Sequence, residues 1–248
     1  MVMKTVKADL HIHSVLSPCG DLDMSPSGIV ERAVQMDLGI IGITDHNSTL
    51  QVDVVEKLAA RRGIFVLGGV EITTREEVHC LAFFPDKSTR TEFQAYLDLN
   101  LPVIPNRDGK FGYQVVVDEH DQIIHMEEKL LITGLKRSIG EIAEEVHRLD
   151  GIFIPAHIDK SVNSILSQLG FIPPGLAYDA LEISCYTTYA DARQKYGIPR
   201  EAAVIRNSDA HYLQDIGKCY SDFILERVDY QEIKMSLSGV SGRSVIQG

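Results

Sequence analysis

The chain lacks the features that would place it in a membrane, in an oxidising compartment or on a nucleic-acid duplex. No stretch approaches the roughly 20 apolar residues that a bilayer-spanning helix needs. The first residues run straight into a strand-like segment, which leaves no room for a secretory leader. Four cysteines, Cys19, Cys80, Cys185 and Cys219, are scattered without a Cys-x-x-Cys pair. They read as reduced thiols of a cytoplasmic protein rather than as a disulfide framework. Basic residues are in deficit, 24 Lys and Arg against 35 Asp and Glu, for a formal net charge of −11. A duplex binder normally carries a basic face, so no dedicated nucleic-acid surface is expected. Bound cations would nevertheless reverse the field locally and attract an anionic substrate. Neither a Walker-type loop nor a dinucleotide fingerprint is present, so no nucleotide cofactor is expected.

What is present is a β/α alternation. The 248 residues, 44% hydrophobic and 24% charged, suffice for one large α/β domain with a substantial core. Strand-like runs fall at 7–13, 40–44, 65–73, 78–84, 151–157, 178–184, 202–207 and 222–226. Helical patterns lie between them at 26–37, 53–62, 138–149, 161–170, 189–196 and 230–238. Ser25 with Pro26 makes a helix start, and Ser138 with Glu141 makes a capping box. Seven or eight such units predict a mostly parallel sheet closed into a distorted barrel. The link between 65–73 and 78–84 is too short for a crossover helix, so these two runs are expected to form a hairpin. Residues 85–136 break the alternation. They carry a helix-like piece and a β-hairpin around Asp118-Glu119-His120-Asp121, and read as an insertion near the barrel mouth within a single domain spanning 1–248.

Metal-ligating residues stand where the apolar runs end. Asp9, His11 and His13 alternate along the first strand and share a face. Later strand ends bear Asp45 and His46, Gly69-Val70-Glu71, Pro155-Ala156-His157, and Asp209 with His211; His79 lies in an apolar run of its own. Strand ends of a (β/α) barrel converge on one face. Imidazole suits zinc, iron and manganese, and carboxylates bridge ions. Eight or more candidate ligands exceed the four of a closed zinc site and point to two or three ions with open positions. Such ions clamp the attacking and leaving oxygens of a phosphoester. Six of the nine histidines fall in these motifs; His120, His125 and His147 are read as surface or structural. Asp9 and Asp45 are read as groups that orient ligating imidazoles.

Taken in order, Asp9-Leu10-His11-Ile12-His13-Ser14, Thr44-Asp45-His46, Gly69-Val70-Glu71, Pro155-Ala156-His157 and Ser208-Asp209-Ala210-His211 resemble the motifs of the PHP (polymerase and histidinol phosphatase) family. The resemblance implies a distorted seven-stranded (β/α) barrel of TIM-like form, a trinuclear centre of zinc, manganese or iron, and phosphoesterase activity by hydroxide attack on phosphorus. It implies that His11 and His13 hold one ion and that Glu71 bridges two. His46, His79 and His157 would hold the second and third ions. Asp209 and His211 would complete the centre and sit closest to the chemistry. The family's further ligand, in the loop after the first strand, would be Asp21, with Asp23 and Cys19 as alternatives. Lys160 and Arg206 are candidate phosphate contacts, and Arg137 a weaker one. A small phosphomonoester, a nucleotide or another phosphorylated metabolite, is the expected substrate. The alternatives are a metal-dependent amidohydrolase, an exonuclease acting on nucleic-acid ends, and a non-catalytic metal-binding module.

Overall fold

A computed structural model describes residues 2–107 and 110–247. Its largest sheet has seven strands in the order β11-β10-β1-β2-β3-β4-β7. These strands are β1 (Lys4–Ile12), β2 (Ile40–Ile43), β3 (Phe65–Thr73), β4 (His79–Phe83), β7 (Ile152–Pro155), β10 (Ser221–Leu225) and β11 (Ser244–Val245). β1, β2 and β3 run parallel, joined by α1 (Pro26–Gln35) and α2 (Val52–Ala60). Both helices bury one stripe: Ile29, Val30 and Ala33 on α1, and Val52, Val55 and Ala59 on α2. Ser25 caps α1 by accepting from the Gly28 N–H, with Pro26 in the first turn, where its missing donor costs nothing.

The expected hairpin is found. β4 pairs antiparallel with β3, with Glu71 opposite Leu81 and Thr73 opposite His79. β7 is antiparallel to β4 in turn. This reversal sets the site geometry, because the start of β4 lies at the same end of the sheet as the finish of β3. Behind these strands, α4 (Ile139–Arg148) buries Ile139, Ile142, Ala143 and Val146 in a core with Val70, Ile72 and Phe153. Each fully buried aliphatic or Phe side chain contributes about 1.5–3 kcal/mol of transfer free energy. The Ser138–Glu141 capping box is present in both directions.

The strands do not all join one sheet. β8 (Leu181–Ile183) and β9 (Val204–Arg206), separated by α6 (Tyr189–Tyr196), make a parallel two-stranded sheet of their own. A pair of backbone hydrogen bonds on each side, rather than a ladder, ties this sheet to its neighbours. The Ile158 N–H donates to the Glu182 carbonyl on the β7 side, and an isolated bridge joins Ile12 to Ala210 on the β1 side. The physical reason is that side chains take the places of ladder partners. Asp179 accepts from the Phe153 N–H at 2.7 Å, and Asn207 accepts from the Leu10 N–H at 2.8 Å. The chain is thus an α/β fold with a curled, mixed sheet. β10 is antiparallel to β1, and the edge strand β11 is antiparallel to β10; both lie outside the alternation, with α7 (Tyr230–Leu237) between them in sequence.

Between β4 and α4 lie α3 (Lys87–Asn100) and the hairpin β5 (Val115–Val117) and β6 (Ile123–Met126). The segment sits on the loops that follow β1 and β2. Gln51 exchanges two 2.9 Å bonds with the backbone of Val117, and the Asn47 amide donates to the carbonyls of Leu131 and Thr133. Gly112, with φ +90°, lies against the Pro18 carbonyl, where any side chain would collide. Among the described residues no helix is long and apolar enough to cross a membrane.

Candidate metal centre

Glu71 is the hub of the site. It stands near the end of β3, is almost fully buried, and has five imidazoles around its carboxylate. His79 Nδ1 lies 2.9 Å from Oε1, and His46 Nδ1 lies 3.1 Å from Oε2. His157 Nε2 is at 3.2 Å, and His11 and His13 Nε2 are each at 3.3 Å. Asp209 Oδ1 faces the same two nitrogens of His11 and His13 from the other side, at 3.4 Å each. The ring of His211 stacks on that of His13 with centroids 4.1 Å apart. Six elements supply these groups: the ends of β1, β2, β3 and β7, the start of β4, and the loop after β9. A hollow of about 100 Å³ lies among His46, Glu71, His79, His157, Asp209 and His211.

Two of the backbones here are strained. His157 and Asp209 take left-handed conformations, φ 28° and 51°. For non-glycine residues this costs on the order of 1–3 kcal/mol each and persists where the surroundings over-determine it. Both turns aim a side chain back over the strand end toward Glu71.

Three of the imidazoles are tethered through Nδ1, which fixes which nitrogen faces inward, whereas His157 Nδ1 is buried without a partner. His11 Nδ1 lies 3.1 Å from both oxygens of Glu182, a carboxylate buried in the middle of β8. Glu182 also accepts from the His157 N–H at 2.8 Å and from the Asn207 amide at 2.7 Å. His13 Nδ1 lies 2.9 Å from Ser17 Oγ, whose hydroxyl donates to Asp45 at 2.7 Å. Asp45 also takes the N–H and hydroxyl of Ser14. His211 Nδ1 donates to the Asp209 carbonyl at 2.9 Å. Each tether leaves a lone pair on Nε2 aimed into the site, the arrangement that prepares an imidazole for a metal.

The donor set fits cations. His13, His46 and His211 form one group that could hold an ion, as do His11, His13 and Glu71, and His46, Glu71 and His79. His46 Nδ1 is buried with no partner in hydrogen-bond geometry although it faces a Glu71 oxygen. Two lone-pair acceptors turned toward one another call for a shared cation. Charge balance points the same way, with Glu71, Asp209 and Glu182 buried around the single ammonium of Lys160. Burial opposes ionisation of Glu71, yet His79, His11 and His46 hold it well below the usual carboxylate range. Burial opposes charging His11, yet Glu182, Asp209 and Glu71 hold it well above the usual imidazole range. Burial pushes His46 well below that range, and burial with the His13 charge pushes His211 down to about 4.

Other candidates fall in different places. Lys160 is in the site, ion-paired with Asp209 Oδ2. Arg206 points away from the hollow; it donates to the Cys185 carbonyl at 2.7 Å and lies over the Tyr189 ring. Arg137 is bound to Asn100 and Glu141, outside the site. Asp9 orients no imidazole. Its oxygens accept from the Ser208 and Gly217 N–H groups, so it anchors the loop that carries Asp209, and burial raises it to about 6. Asp21 caps the Asp23 N–H with its carboxylate and belongs to none of the three ligand groups. The Cys19 thiol in the same loop is pushed up to about 12 by burial and by the Glu71 carboxylate. His120 and His125 are exposed on the hairpin, and His147 is paired with Asp179. Sequence reasoning missed Glu182, Asn207 and Ser17. The one available signal was Glu182 itself, a lone carboxylate between Leu181 and Ile183.

Comparison with known proteins decides the family. A family model described as the PHP domain matches residues 9–164. The chain belongs to the PHP domain family. This PHP chain is 25% identical over 280 aligned residues to the uncharacterized protein YqxK of Bacillus subtilis, covering 98% of the chain and 65% of that protein. A 5'-3' exoribonuclease of Haemophilus influenzae is 34% identical over 87 residues, 34% of the chain and 31% of the enzyme. Among solved structures, the lesion-specific endonuclease PfuEndoQ of Pyrococcus furiosus superposes with a TM-score of 0.74 at 23% identity, over 98% of the chain and 58% of the endonuclease. The chain therefore spans less than two thirds of the length of each of these proteins.

Proposed function

We propose that the protein is a metal-dependent phosphoesterase that releases phosphate from a phosphomonoester, with a nucleotide as the leading kind of substrate. The observation that carries this reading is the Glu71 hub, where one buried carboxylate is surrounded by nitrogens of five imidazoles at 2.9–3.3 Å. We assign two or three divalent ions, zinc, manganese or iron. His11, His13, His46, Glu71, His79, His157, Asp209 and His211 are the ligands, and Asp21 or Cys19 is the further ligand in the first loop. Such ions, when bound, activate water and neutralise charge on the phosphoryl oxygens. The protein's own groups do the rest. Glu182 and the Ser17–Asp45 pair keep His11 and His13 in the required tautomer and orientation. Lys160, once Asp209 is engaged as a ligand, is left to hold a phosphoryl oxygen by a charge-assisted bond. Asp209 and His211 are assigned as the residues closest to the chemistry.

In this reading residues 1–248 form one cytoplasmic barrel domain. β8 and β9 complete the circle between β7 and β1, and 85–136 is an insertion that walls the mouth. A second reading, cleavage of nucleic acid, is favoured by one observation, the likeness over 98% of the chain to an endonuclease structure. The acidic surface speaks for small substrates or strand ends over long duplex. The deciding experiment is phosphate release and strand cleavage by manganese- and zinc-loaded protein on phosphomonoesters, nucleotides and oligonucleotides. Release from small phosphomonoesters supports the first reading. Cleavage of oligonucleotides alone supports the second, and turnover of neither overturns both.

A further inference from the structure

Beside the metal hollow lies a second cavity that the proposed ligand set lines only in part. It has a volume of about 350 Å³, within the range of small-molecule sites, and shares His157, Lys160 and Asp209 with the hollow. The loop that leaves β8 lines it with Tyr186, and Lys218 lines it as well.

That loop is held rigidly. Asp159, two residues past His157, accepts from the Ser184 N–H at 2.7 Å, the Ser184 hydroxyl at 2.6 Å and the Thr187 hydroxyl at 2.5 Å. The Tyr186 N–H in turn donates to Ser184 Oγ at 3.3 Å. On this fixed turn Tyr186 is 97% exposed, more than any other large apolar or aromatic side chain among the described residues. An aromatic ring that packs on nothing, presented by a pre-ordered loop, gives the folded chain no stability. What it offers is a flat face at low ordering cost. The cavity also carries two ammonium groups, Lys160 and Lys218, each paired with an aspartate, beside the Glu182 carboxylate. A ligand that uses a ring face at one end and cations at the other is a nucleotide, whose base stacks while its phosphoryl group binds charge.

We propose that this cavity is a nucleoside subsite in which Tyr186 stacks on the base of a nucleotide whose phosphoryl group reaches Lys160 and the metal centre. The proposal rests on the phosphoesterase reading and narrows its substrate to compounds that carry a nucleobase. The base belongs either to a free mononucleotide or to the terminal nucleotide of a single strand, since both present the same face to the ring. Tyr186 is a specificity residue in this scheme and takes no part in bond cleavage.

The test uses the metal-loaded full chain. AMP and ribose 5-phosphate carry the same phosphomonoester with and without a base. Tyr186→Ala is expected to raise the KM for AMP about 5- to 150-fold, the range of base–aromatic stacking, and to leave ribose 5-phosphate unchanged. Folding is not at risk, because a side chain this exposed makes no core contact. A second readout needs no turnover. The sequence contains no tryptophan, so Tyr186→Trp places a single reporter on the loop. AMP should quench its fluorescence and ribose 5-phosphate should not. Quenching by a 5'-phosphorylated single-stranded oligonucleotide at lower concentration than AMP identifies a strand end as the source. The reverse order identifies the free nucleotide, and either order supports the subsite. Equal effects of Tyr186→Ala on both phosphoesters, or no quenching by AMP, overturns it. If the wild type releases phosphate from neither compound, the phosphoesterase reading fails by itself, and the fluorescence result still decides the subsite.

Discussion

Glu182→Gln removes one charge from the wall behind the proposed metal centre and leaves every proposed metal ligand in place. In the folded protein Glu182 holds His11 Nδ1 at 3.1 Å and accepts from the His157 N–H and the Asn207 amide. A glutamine retains one acceptor oxygen but presents an amide to donors that expect a carboxylate, and it no longer strengthens the His11 lone pair. Loss of such an outer partner weakens metal binding about 10- to 100-fold, or roughly 1.4–2.7 kcal/mol. With metal at about 100 times the wild-type Kd, binding stabilises the wild type by about 2.7 kcal/mol and the variant by only about 0.4–1.4 kcal/mol. For a chain of this size each kcal/mol moves Tm by about 2–4 °C. The metal-induced rise in Tm should therefore shrink from about 5–11 °C to about 1–6 °C. The assay is thermal unfolding with and without metal, read as the difference, so that any loss of stability in the metal-free variant cancels. A variant whose metal-induced rise equals that of the wild type would show that Glu182 is a strut and that the orientation of His11 is set elsewhere.

His157→Ala and His211→Ala should each lose on the order of 100-fold or more in turnover of a working phosphoester, because each removes a proposed ligand. His120→Ala and His125→Ala, exposed on the hairpin, should stay near wild type, and a reversed pattern would displace the site. Lys160→Ala should lower kcat/KM about tenfold to a hundredfold, the worth of one charged hydrogen bond, with metal content unchanged. Wild-type kinetics on several phosphoesters would remove Lys160 from substrate binding. Glu71→Gln should lower occupancy at two ion positions, since its two oxygens face different imidazoles, and full metal content by elemental analysis would make Glu71 a bystander.

Much of the site was legible because its ligands obey a local rule, a His, Asp or Glu where an apolar run stops. That rule found the residues around Glu71, and His79 too, although His79 reaches the site from the start of a strand. The short link Thr74–Glu77 announced the hairpin that places it there. Capping at Ser25 and Ser138 was equally local. What escaped was non-local. Glu182 sits in mid-strand and meets His11 across 171 positions of sequence, so no spacing reveals the pair. The expected strands at 178–184 and 202–207 shrink to three residues each, because Asp179 and Asn207 bond the neighbouring backbone through side chains and end the ladders early. The helix expected from Ser161 starts at Ile165. Ser164 caps it, and its hydroxyl donates to the Lys160 carbonyl, so the intervening residues form a turn. The alternation and the motif resemblance both point to a mostly parallel, distorted barrel, and neither specifies which strands pair.

The account turns on the number of ions at Glu71. Crystals of protein loaded with manganese or zinc, measured at the metal's absorption edge, count and locate them directly. The account predicts two or three anomalous peaks in the hollow among His11, His13, His46, Glu71, His79, His157, Asp209 and His211, with the Glu71 carboxylate touching two of them. A single peak, or peaks that leave Glu71 without a metal, would contradict it.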